Sequence, residues 1–321
     1  MQSKIVIGTR ESQLAMIQTN QVKSELEKIY PDIEFVINGM TTTGDQILDK
    51  PLSQIGAKSL FTKELEVALH DKRVDLVVHS LKDLPTTLPE GMTIGAIMER
   101  KDPRDAIIMS LKNKNLKLSD LKEGSVIGTS SVRRIAQLKR KYPHLQFQDI
   151  RGNLNTRLRK LDDETSPYSA LLLAFAGVSR MGWEDRITEI LEKDVMLHAV
   201  GQGAIGIECR LEDADTLKLL DPLNHKETVL RTTAERSFMK TLEGGCSVPL
   251  GVTTLLAQNG DHFNLSLTGS VTSLDGAKHL RHEITTKVQT SKDAIKLGID
   301  VADELIKQGA QAILEEIRAN K

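Results

Sequence analysis

Short apolar runs alternate with longer amphipathic stretches through the first 220 residues of the chain. The runs are typical of buried strands, and the stretches place their apolar residues at helical spacing. In order, the pattern predicts a strand at 4–8, a helix at about 12–29, a strand at 33–37, a helix at about 62–70 and a strand at 74–79. This alternation indicates βαβ units and largely parallel sheets.

A second block repeats the pattern, with strands at 125–128, 146–150 and 170–174 and helices at about 131–141 and 154–161. Both blocks place a Gly-Thr turn, Gly8-Thr9 and Gly128-Thr129, between the first strand and the first helix. Such a turn exposes unpaired N–H groups at the positive end of the helix dipole, which favours anions. We therefore expect two related α/β lobes, with ligand-binding strand ends that face a cleft between them.

The pattern changes from about residue 225. It predicts a helix at 227–242, a loop around Cys246, strands at 252–257, 262–270 and 279–288, and a closing helix at about 292–318 with a break near Gly309. The strands are joined at Asn259-Gly260 and Asp275-Gly276, which are hairpin signals. This part of the chain is expected to be a small α+β domain with a three-stranded antiparallel sheet, and it presents Cys246.

The composition is that of an ordinary globular protein, with 321 residues, 39% apolar residues and a formal net charge of -1. Cys209 and Cys246 are too few for a disulfide framework, and no Cys/His cluster has the spacing of a metal site. The chain runs from Met1 directly into an apolar strand, and no apolar run reaches membrane-spanning length. We expect a cytoplasmic protein with reduced thiols, no metal and no membrane contact.

Positive charge is concentrated between residues 126 and 160, which contain nine Lys/Arg residues and a single acidic residue, Asp149. An excess of this kind attracts anions, although a solvated helix face accounts for Lys139, Arg140 and Lys141. Nucleic acid is the rival ligand. Aromatic residues make up only 3% of the chain and do not interleave with the basic segment, so stacking platforms are missing. A small polyanionic ligand fits this segment better than nucleic acid.

The strand at 74–79 breaks into a loop that delivers Ser80, Lys82 and Asp83 to the same sheet edge as Arg10. A carboxylate near several cations can stabilise a positively charged intermediate and transfer a proton. The alternative for Lys82 and Asp83 is a surface pair or a helix cap. His79, at the strand end, is expected to be structural.

Two loops have the composition of functional segments. Cys246 follows two glycines and precedes Ser247-Val248-Pro249, so the backbone is able to bring the sulfur to a surface. That setting suits an attachment point or a nucleophile, and the alternative is a small apolar residue under a turn. The polar, glycine-bearing segment 42–59, which includes Asp45, is long enough for a lid.

A series of motifs occurs in chain order at these predicted loops. They are GTRESQLA at 8–15, FTKEL at 61–65, HSLKDLPT at 79–86, GTSSVRR at 128–134, IRGNLNTR at 150–157, AGVSRM at 176–181, GQGA at 201–204 and GGCSVP at 244–249. Together they resemble the hydroxymethylbilane synthase family, whose members are also called porphobilinogen deaminases. The resemblance covers nearly the whole chain.

The resemblance implies two α/β lobes similar to periplasmic binding proteins. The first comprises 1–101 and a returning segment at 198–221, the second comprises 102–197, and an α+β domain at 222–321 follows. It also implies a monomeric enzyme that joins four porphobilinogen molecules head to tail with loss of ammonia and releases a linear tetrapyrrole by hydrolysis. The growing oligopyrrole chain starts from a dipyrromethane primer, which is attached by a thioether to the matching cysteine, Cys246.

Roles of individual residues follow from the resemblance position by position. Asp83 is the implied catalytic carboxylate, which assists the loss of ammonia, stabilises the resulting cation and helps to remove a proton after coupling. The residues implied to bind the primer are Lys82, Thr129, Ser130, Ser131, Arg133, Arg134, Arg157 and Gly203. The residues implied to bind incoming or growing pyrroles are Arg10, Ser12, Ser80, Arg151, Arg180 and Gln202. Every pyrrole carries carboxylates, and guanidinium groups bind carboxylates bidentately.

Two other classes of protein compete with this interpretation. A two-lobed binding protein or sensor for a carboxylated ligand would have the same fold, since fold does not fix function. A sensor needs neither Asp83 nor Cys246, so these two residues discriminate. A cysteine-dependent acyl transferase would need a histidine near the thiol, and the sequence indicates none.

Overall fold

The computed structural model describes residues 3–46, 60–242, 248–260 and 262–319, and the described chain divides into two compact units. The first unit comprises 3–46, 60–101 and 203–229, and the second comprises 102–202 and the described residues from 230 onward. The chain therefore leaves the first unit at residue 101 and returns to it at residue 203.

The helices and strands are numbered in chain order. Up to residue 101 they are β1 (Lys4–Arg10), α1 (Gln13–Ile29), β2 (Glu34–Met40), α2 (Thr43–Gln46), α3 (Lys63–His70), β3 (Leu76–Ser80) and β4 (Met92–Ile97). Between 102 and 202 they are β5 (Asp105–Met109), β6 (Val126–Gly128), α4 (Val132–Lys141), β7 (Gln146–Gln148), α5 (Leu154–Asp162), β8 (Tyr168–Ala174), α6 (Phe175–Arg180) and β9 (Glu189–Ile190). After 202 they are β10 (Ile205–Arg210), α7 (Ala214–Leu220), α8 (Lys226–Thr241), β11 (Leu250–Asn259), β12 (His262–Thr272), β13 (His279–Val288), α9 (Ser291–Lys307) and α10 (Ala310–Ala319).

The first unit is built on a sheet with the strand order β2-β1-β3-β10-β4 among its described residues. The first three strands are parallel, and β10 pairs antiparallel with both β3 and β4. Ile7 of β1, Leu76 of β3 and Ile207 of β10 are fully buried in one apolar cluster. Because β1 and β3 are parallel neighbours, their carboxyl ends lie at the same sheet edge.

The sheet that β5, β6, β7, β8 and β9 form in the second unit repeats this topology. Its described strands have the order β7-β6-β8-β5-β9, the first three are parallel, and β5 pairs antiparallel with both neighbours. In each sheet the antiparallel strand in the fourth position comes from outside the parallel block, since β5 precedes that block and β10 returns long after it. The prediction of two related α/β lobes is confirmed.

The strands β11, β12 and β13 form an antiparallel sheet within the second unit. Phe238 of α8, Leu267 of β12 and Val301 of α9 are fully buried in its apolar core. Gly276, in the turn between β12 and β13, has φ +80°, a conformation that favours glycine. The predicted α+β domain is confirmed, and the predicted break in the closing helix falls at Gly309, between α9 and α10.

The second compact unit contains both the β5–β9 sheet and this antiparallel sheet. The division into three domains with boundaries at 101, 198 and 221 therefore stays a prediction. Within the ranges that the structure describes, no helix combines the length and the apolar character needed to cross a membrane.

Candidate active site

The loop after β3 exposes a carboxylate at the sheet edge. Residues Leu81–Asp83 form one 3₁₀ turn, which is held by the buried side chains of Leu81 and Leu84. Lys82 is half-buried and Asp83 is exposed. Ser80, the last residue of β3, exchanges hydrogen bonds with the amide of Gln18 in α1, at 3.0 and 3.1 Å. Asp83 is thus an exposed carboxylate on an anchored turn.

Arg10, the last residue of β1, binds a carboxylate of this chain. Its Nε donates to Asp45 Oδ2 at 3.1 Å, its Nη2 donates to Asp45 Oδ1, and its guanidinium lies 4.4 Å from the centre of the Phe61 ring. Burial opposes the ionisation of Asp45, but hydrogen bonds and the charge of Arg10 outweigh it and lower the pKa of this carboxyl. Arg10 is therefore oriented for bidentate binding of a carboxylate.

Ser12 is the N-cap of α1, and its Oγ accepts a hydrogen bond from Ala15 N at 3.4 Å. Arg10 and Ser80 end β1 and β3, which are neighbouring parallel strands, and Ser12, Lys82 and Asp83 follow within three residues of these strand ends. The structure therefore brings these five predicted residues to one edge of the first sheet.

The turn between β6 and α4 carries the predicted primer residues Thr129, Ser130 and Ser131. Ser131 is the N-cap of α4 and accepts from Arg134 N at 3.5 Å, while Thr129 Oγ1 accepts from Ser131 N at 3.3 Å. Ser130 Oγ donates to Ile150 O at 3.1 Å. These bonds fix the backbone at the start of α4, where the helix dipole is positive.

Arg133 and Arg134, in the first turn of α4, are buried and share one carboxylate. Arg133 Nη1 lies 2.7 Å from Asp105 Oδ2, and Arg134 Nη2 lies 2.7 Å from Asp105 Oδ1. Burial opposes the ionisation of Asp105, but the two guanidinium groups outweigh it and hold its pKa well below its usual range. The sequence analysis missed Asp105. The available signal was an acid at the head of the apolar run 106–109, because a buried charge requires a partner.

Further guanidinium groups follow β7 and β8, the neighbours of β6. Arg157 Nε donates to Gly152 O at 2.8 Å in the turn that starts α5. Burial lowers the pKa of Arg151, and burial lowers the pKa of Arg180, at the end of α6, to about 10. These lowered values indicate guanidinium groups that have lost part of their hydration, which strengthens their attraction for carboxylates.

Gln202 belongs to the cluster around Asp105. Its Nε2 donates to Asp105 Oδ1 at 3.0 Å and to Pro103 O at 2.6 Å. Gly203 has φ +90° and Gly201 has φ +71°, so this segment adopts backbone conformations that favour glycine. The second unit thus gathers around Asp105 and the start of α4 the predicted residues Thr129, Ser130, Ser131, Arg133, Arg134 and Gln202.

The structure describes Cys209 but not Cys246. Cys246, the predicted attachment residue, lies outside the described residues, and so do residues 47–59 of the predicted lid. Cys209 lies in β10 with no exposed surface, and burial raises the pKa of its thiol to about 12. A thiol of this kind is a poor nucleophile at neutral pH. Across the part of the chain that the structure covers, no group of three His, Cys, Asp or Glu side chains is arranged to hold a metal ion.

Comparison with solved structures finds proteins with a weak likeness to this chain. The effector-binding domain of BenM with benzoate has 12% sequence identity and a TM-score of 0.41, and the match covers 68% of this chain and 90% of that one. The periplasmic aliphatic sulphonate binding protein SsuA from Escherichia coli has 12% identity and a TM-score of 0.36, with 76% and 71% covered. At these scores the likeness supports no argument about this chain.

Sequence comparison is decisive. Residues 5–218 match the family model described as porphobilinogen deaminase, dipyromethane cofactor binding domain, and residues 229–307 match the porphobilinogen deaminase C-terminal domain. Porphobilinogen deaminases of Synechococcus elongatus and Gloeobacter violaceus are each 53% identical, covering 98% and 99% of this chain and 96% and 94% of those proteins. The resemblance found in the motifs is confirmed, and the chain belongs to the porphobilinogen deaminase family.

Proposed function

We propose that this chain is a hydroxymethylbilane synthase, a transferase that joins four porphobilinogen molecules head to tail with release of ammonia. The single observation that carries the proposal is the pair of buried guanidinium groups, Arg133 and Arg134, which face one buried carboxylate, Asp105. Two cations against one anion leave a positive charge for an anionic ligand. This arrangement lies within the segment that matches the dipyromethane cofactor binding domain.

The described residues fit a dipyrromethane primer, because its acetate and propionate groups are carboxylates and the donors here are cations and hydroxyls. Lys82, Thr129, Ser130, Ser131, Arg133, Arg134, Arg157 and Gly203 are the residues that would hold it. The predicted covalent link to Cys246 stays part of the proposal. When bound, the primer supplies the pyrrole carbon to which the first porphobilinogen is joined.

Substrate carboxylates are assigned to Arg10, Ser12, Ser80, Arg151, Arg180 and Gln202. The bidentate bonding of Arg10 to Asp45 supports this role, because it demonstrates the same chemistry with a carboxylate of the chain. A substrate carboxylate at Arg10 would replace Asp45 as the partner of the guanidinium.

Asp83 carries the proposed chemistry. When the C–N bond of the substrate breaks, ammonia leaves with the electron pair and the pyrrole methylene becomes positive. The exposed carboxylate of Asp83 stabilises that charge, and it can accept the proton that a pyrrole carbon loses when the new C–C bond forms. We further propose that the enzyme works as a monomer in the cytoplasm, without nucleic acid or membrane partners.

The test combines intact mass with steady-state ammonia release for wild type, Asp83→Asn and Cys246→Ser. Wild type should carry two pyrrole units as a covalent adduct. Asp83→Asn should keep the adduct but release ammonia at least about a hundredfold more slowly, since it loses the charge and keeps the size. Cys246→Ser should lack the adduct and be nearly inactive, because a hydroxyl is a far poorer nucleophile at neutral pH.

Two outcomes would contradict the proposal. Wild type with the unmodified mass and no ammonia release would indicate a binding protein instead. Equal ammonia release from wild type and Asp83→Asn would show that another group, with Asp45 the next candidate, carries the proton chemistry.

A further inference from the structure

Asp105 is the first residue of β5 and is fully buried. Its carboxylate accepts four hydrogen bonds. Oδ2 accepts from Arg133 Nη1 at 2.7 Å. Oδ1 accepts from Arg134 Nε at 3.1 Å, from Arg134 Nη2 at 2.7 Å and from Gln202 Nε2 at 3.0 Å. Three of these donors lie at Oδ1 and one lies at Oδ2, so both oxygens of the ionised carboxylate are engaged and its orientation is fixed.

The donors themselves are held by other parts of the second unit. Arg133 Nη1 also donates to Leu197 O at 2.7 Å, and Arg134 Nη1 donates to Leu172 O at 2.8 Å. Gln137, one turn further along α4, donates to Leu197 O at 3.0 Å and accepts from Leu197 N at 2.8 Å. Protein acceptors thus orient both guanidinium groups.

The charge balance of this cluster depends on Asp105. Arg133 and Arg134 are adjacent in sequence and both nearly fully buried, at 5% and 7% exposed. Two unpaired guanidinium groups in such a site would repel each other and would lack hydration. With Asp105 the cluster keeps one positive charge, which matches one carboxylate of a ligand.

We propose that Asp105 is a positioning residue of the primer site. It acts through the primer residues Arg133 and Arg134, whose geometry and net charge it sets before a primer carboxylate arrives, and it also holds the substrate residue Gln202. This inference rests on the proposed function. It adds a residue of opposite charge to a set of primer residues that are otherwise cationic or neutral.

The competing explanation is an ion pair that only stabilises the fold. The same unit offers a control pair of the same chemistry in a more exposed setting, because Asp162 accepts from Arg186 Nη1 and Nη2 at 2.8 and 2.7 Å. That bidentate pair involves none of the predicted primer residues. Replacing Asp162 should lower stability without changing the primer site.

The experiment compares wild type, Asp105→Asn, Asp105→Glu and Asp162→Asn as purified proteins. Intact mass gives the fraction of chains that carry the dipyrrole adduct, thermal unfolding gives the stability, and ammonia release gives kcat and KM. In Asp105→Asn the new amide NH₂ faces guanidinium donors and the charge is lost. The fraction of folded chains with adduct should fall at least about thirtyfold, whereas Asp162→Asn should keep full occupancy.

Asp105→Glu covers the case in which the Asn variant does not fold, because it keeps the charge and moves the carboxylate by about one methylene. It should fold and show reduced adduct occupancy or a raised KM. Full occupancy with wild-type KM in either Asp105 variant, even at lower stability, would overturn the proposal. Wild type and Asp162→Asn without adduct would overturn the proposed function itself, which distinguishes the two failures.

Discussion

Gly298→Ala is expected to destabilise the protein because α8 passes directly over this position of α9. A Cβ at this position would lie 2.3 Å from Ala234 O, 2.7 Å from Phe238 N and 2.7 Å from Ser237 Cβ. Two of these atoms belong to the backbone of α8, so they cannot rotate away. The helix leads into the segment that contains Cys246, so its position also matters for the predicted primer attachment.

The expected cost of Gly298→Ala follows from these distances. Ordinary contact begins near 3.4 Å, so α8 and α9 must separate by about 1 Å. Overpacking costs about 1–3 kcal/mol, and the upper end applies because backbone blocks the site. Alanine recovers about 1 kcal/mol of helix propensity. We expect a net loss of about 2 kcal/mol, or a fall in Tm of about 4–8 °C for a unit of this size.

Thermal unfolding of Gly298→Ala and of Lys296→Ala measures the effect. Lys296 lies on the exposed face of the same helix, where it pairs with Asp300, and its loss should change the free energy of unfolding by about 0.5 kcal/mol or less. A Gly298→Ala protein that is as stable as Lys296→Ala would refute the close approach of the two helices.

Three further predictions concern single side chains. Cys209→Ala should retain ammonia release, and the Cys209 thiol, whose pKa burial raises to about 12, should resist thiol reagents in the folded enzyme; rapid labelling would contradict this. Burial and neighbouring arginines lower the pKa of His279 to about 4 in the folded state. Below about pH 6.5, the ordinary pKa of histidine, the unfolded state therefore binds more protons at this residue than the folded state does. The stability that neutral His279 contributes is therefore complete above that pH and is lost toward pH 4, and unfolding curves of His279→Gln should show a smaller loss over this window. Arg133→Leu should cost about 2–5 kcal/mol in urea unfolding because it leaves Asp105 short of a partner, whereas the exposed Lys141→Leu should cost about 0–1 kcal/mol; equal costs would remove the distinction between site and surface.

Many local elements of this protein could be predicted from sequence because their causes are local, whereas β4, β5 and β9 were not predicted. The predicted helix at 12–29 is α1, and its N-cap Ser12 is a residue type that satisfies free N–H groups. The predicted hairpin turn at Gly276 and the helix break at Gly309 both have positive φ. The motifs likewise indicated the family without any knowledge of interatomic distances, because each motif is a run of consecutive residues.

The partners of the buried charges depended on tertiary structure. His79 was expected to be structural, and its Nε2 lies 3.0 Å from Glu208 Oε2 in a fully buried pair 129 residues apart in sequence. Asp105 meets Arg133 across 28 residues, and nothing in a local pattern specifies which buried acid meets which buried base. Only the folded chain could identify these pairs.

Strand order was also decided by the folded chain. The insertion of β10 between β3 and β4, and of β5 between β8 and β9, was not visible in the alternation of apolar and polar residues. That alternation fixes which face of a strand is buried, whereas its neighbours are set by long-range packing and by how the chain returns. The sequence therefore determined the family and many of the elements, and the tertiary structure determined the strand order and which charges the elements bring together.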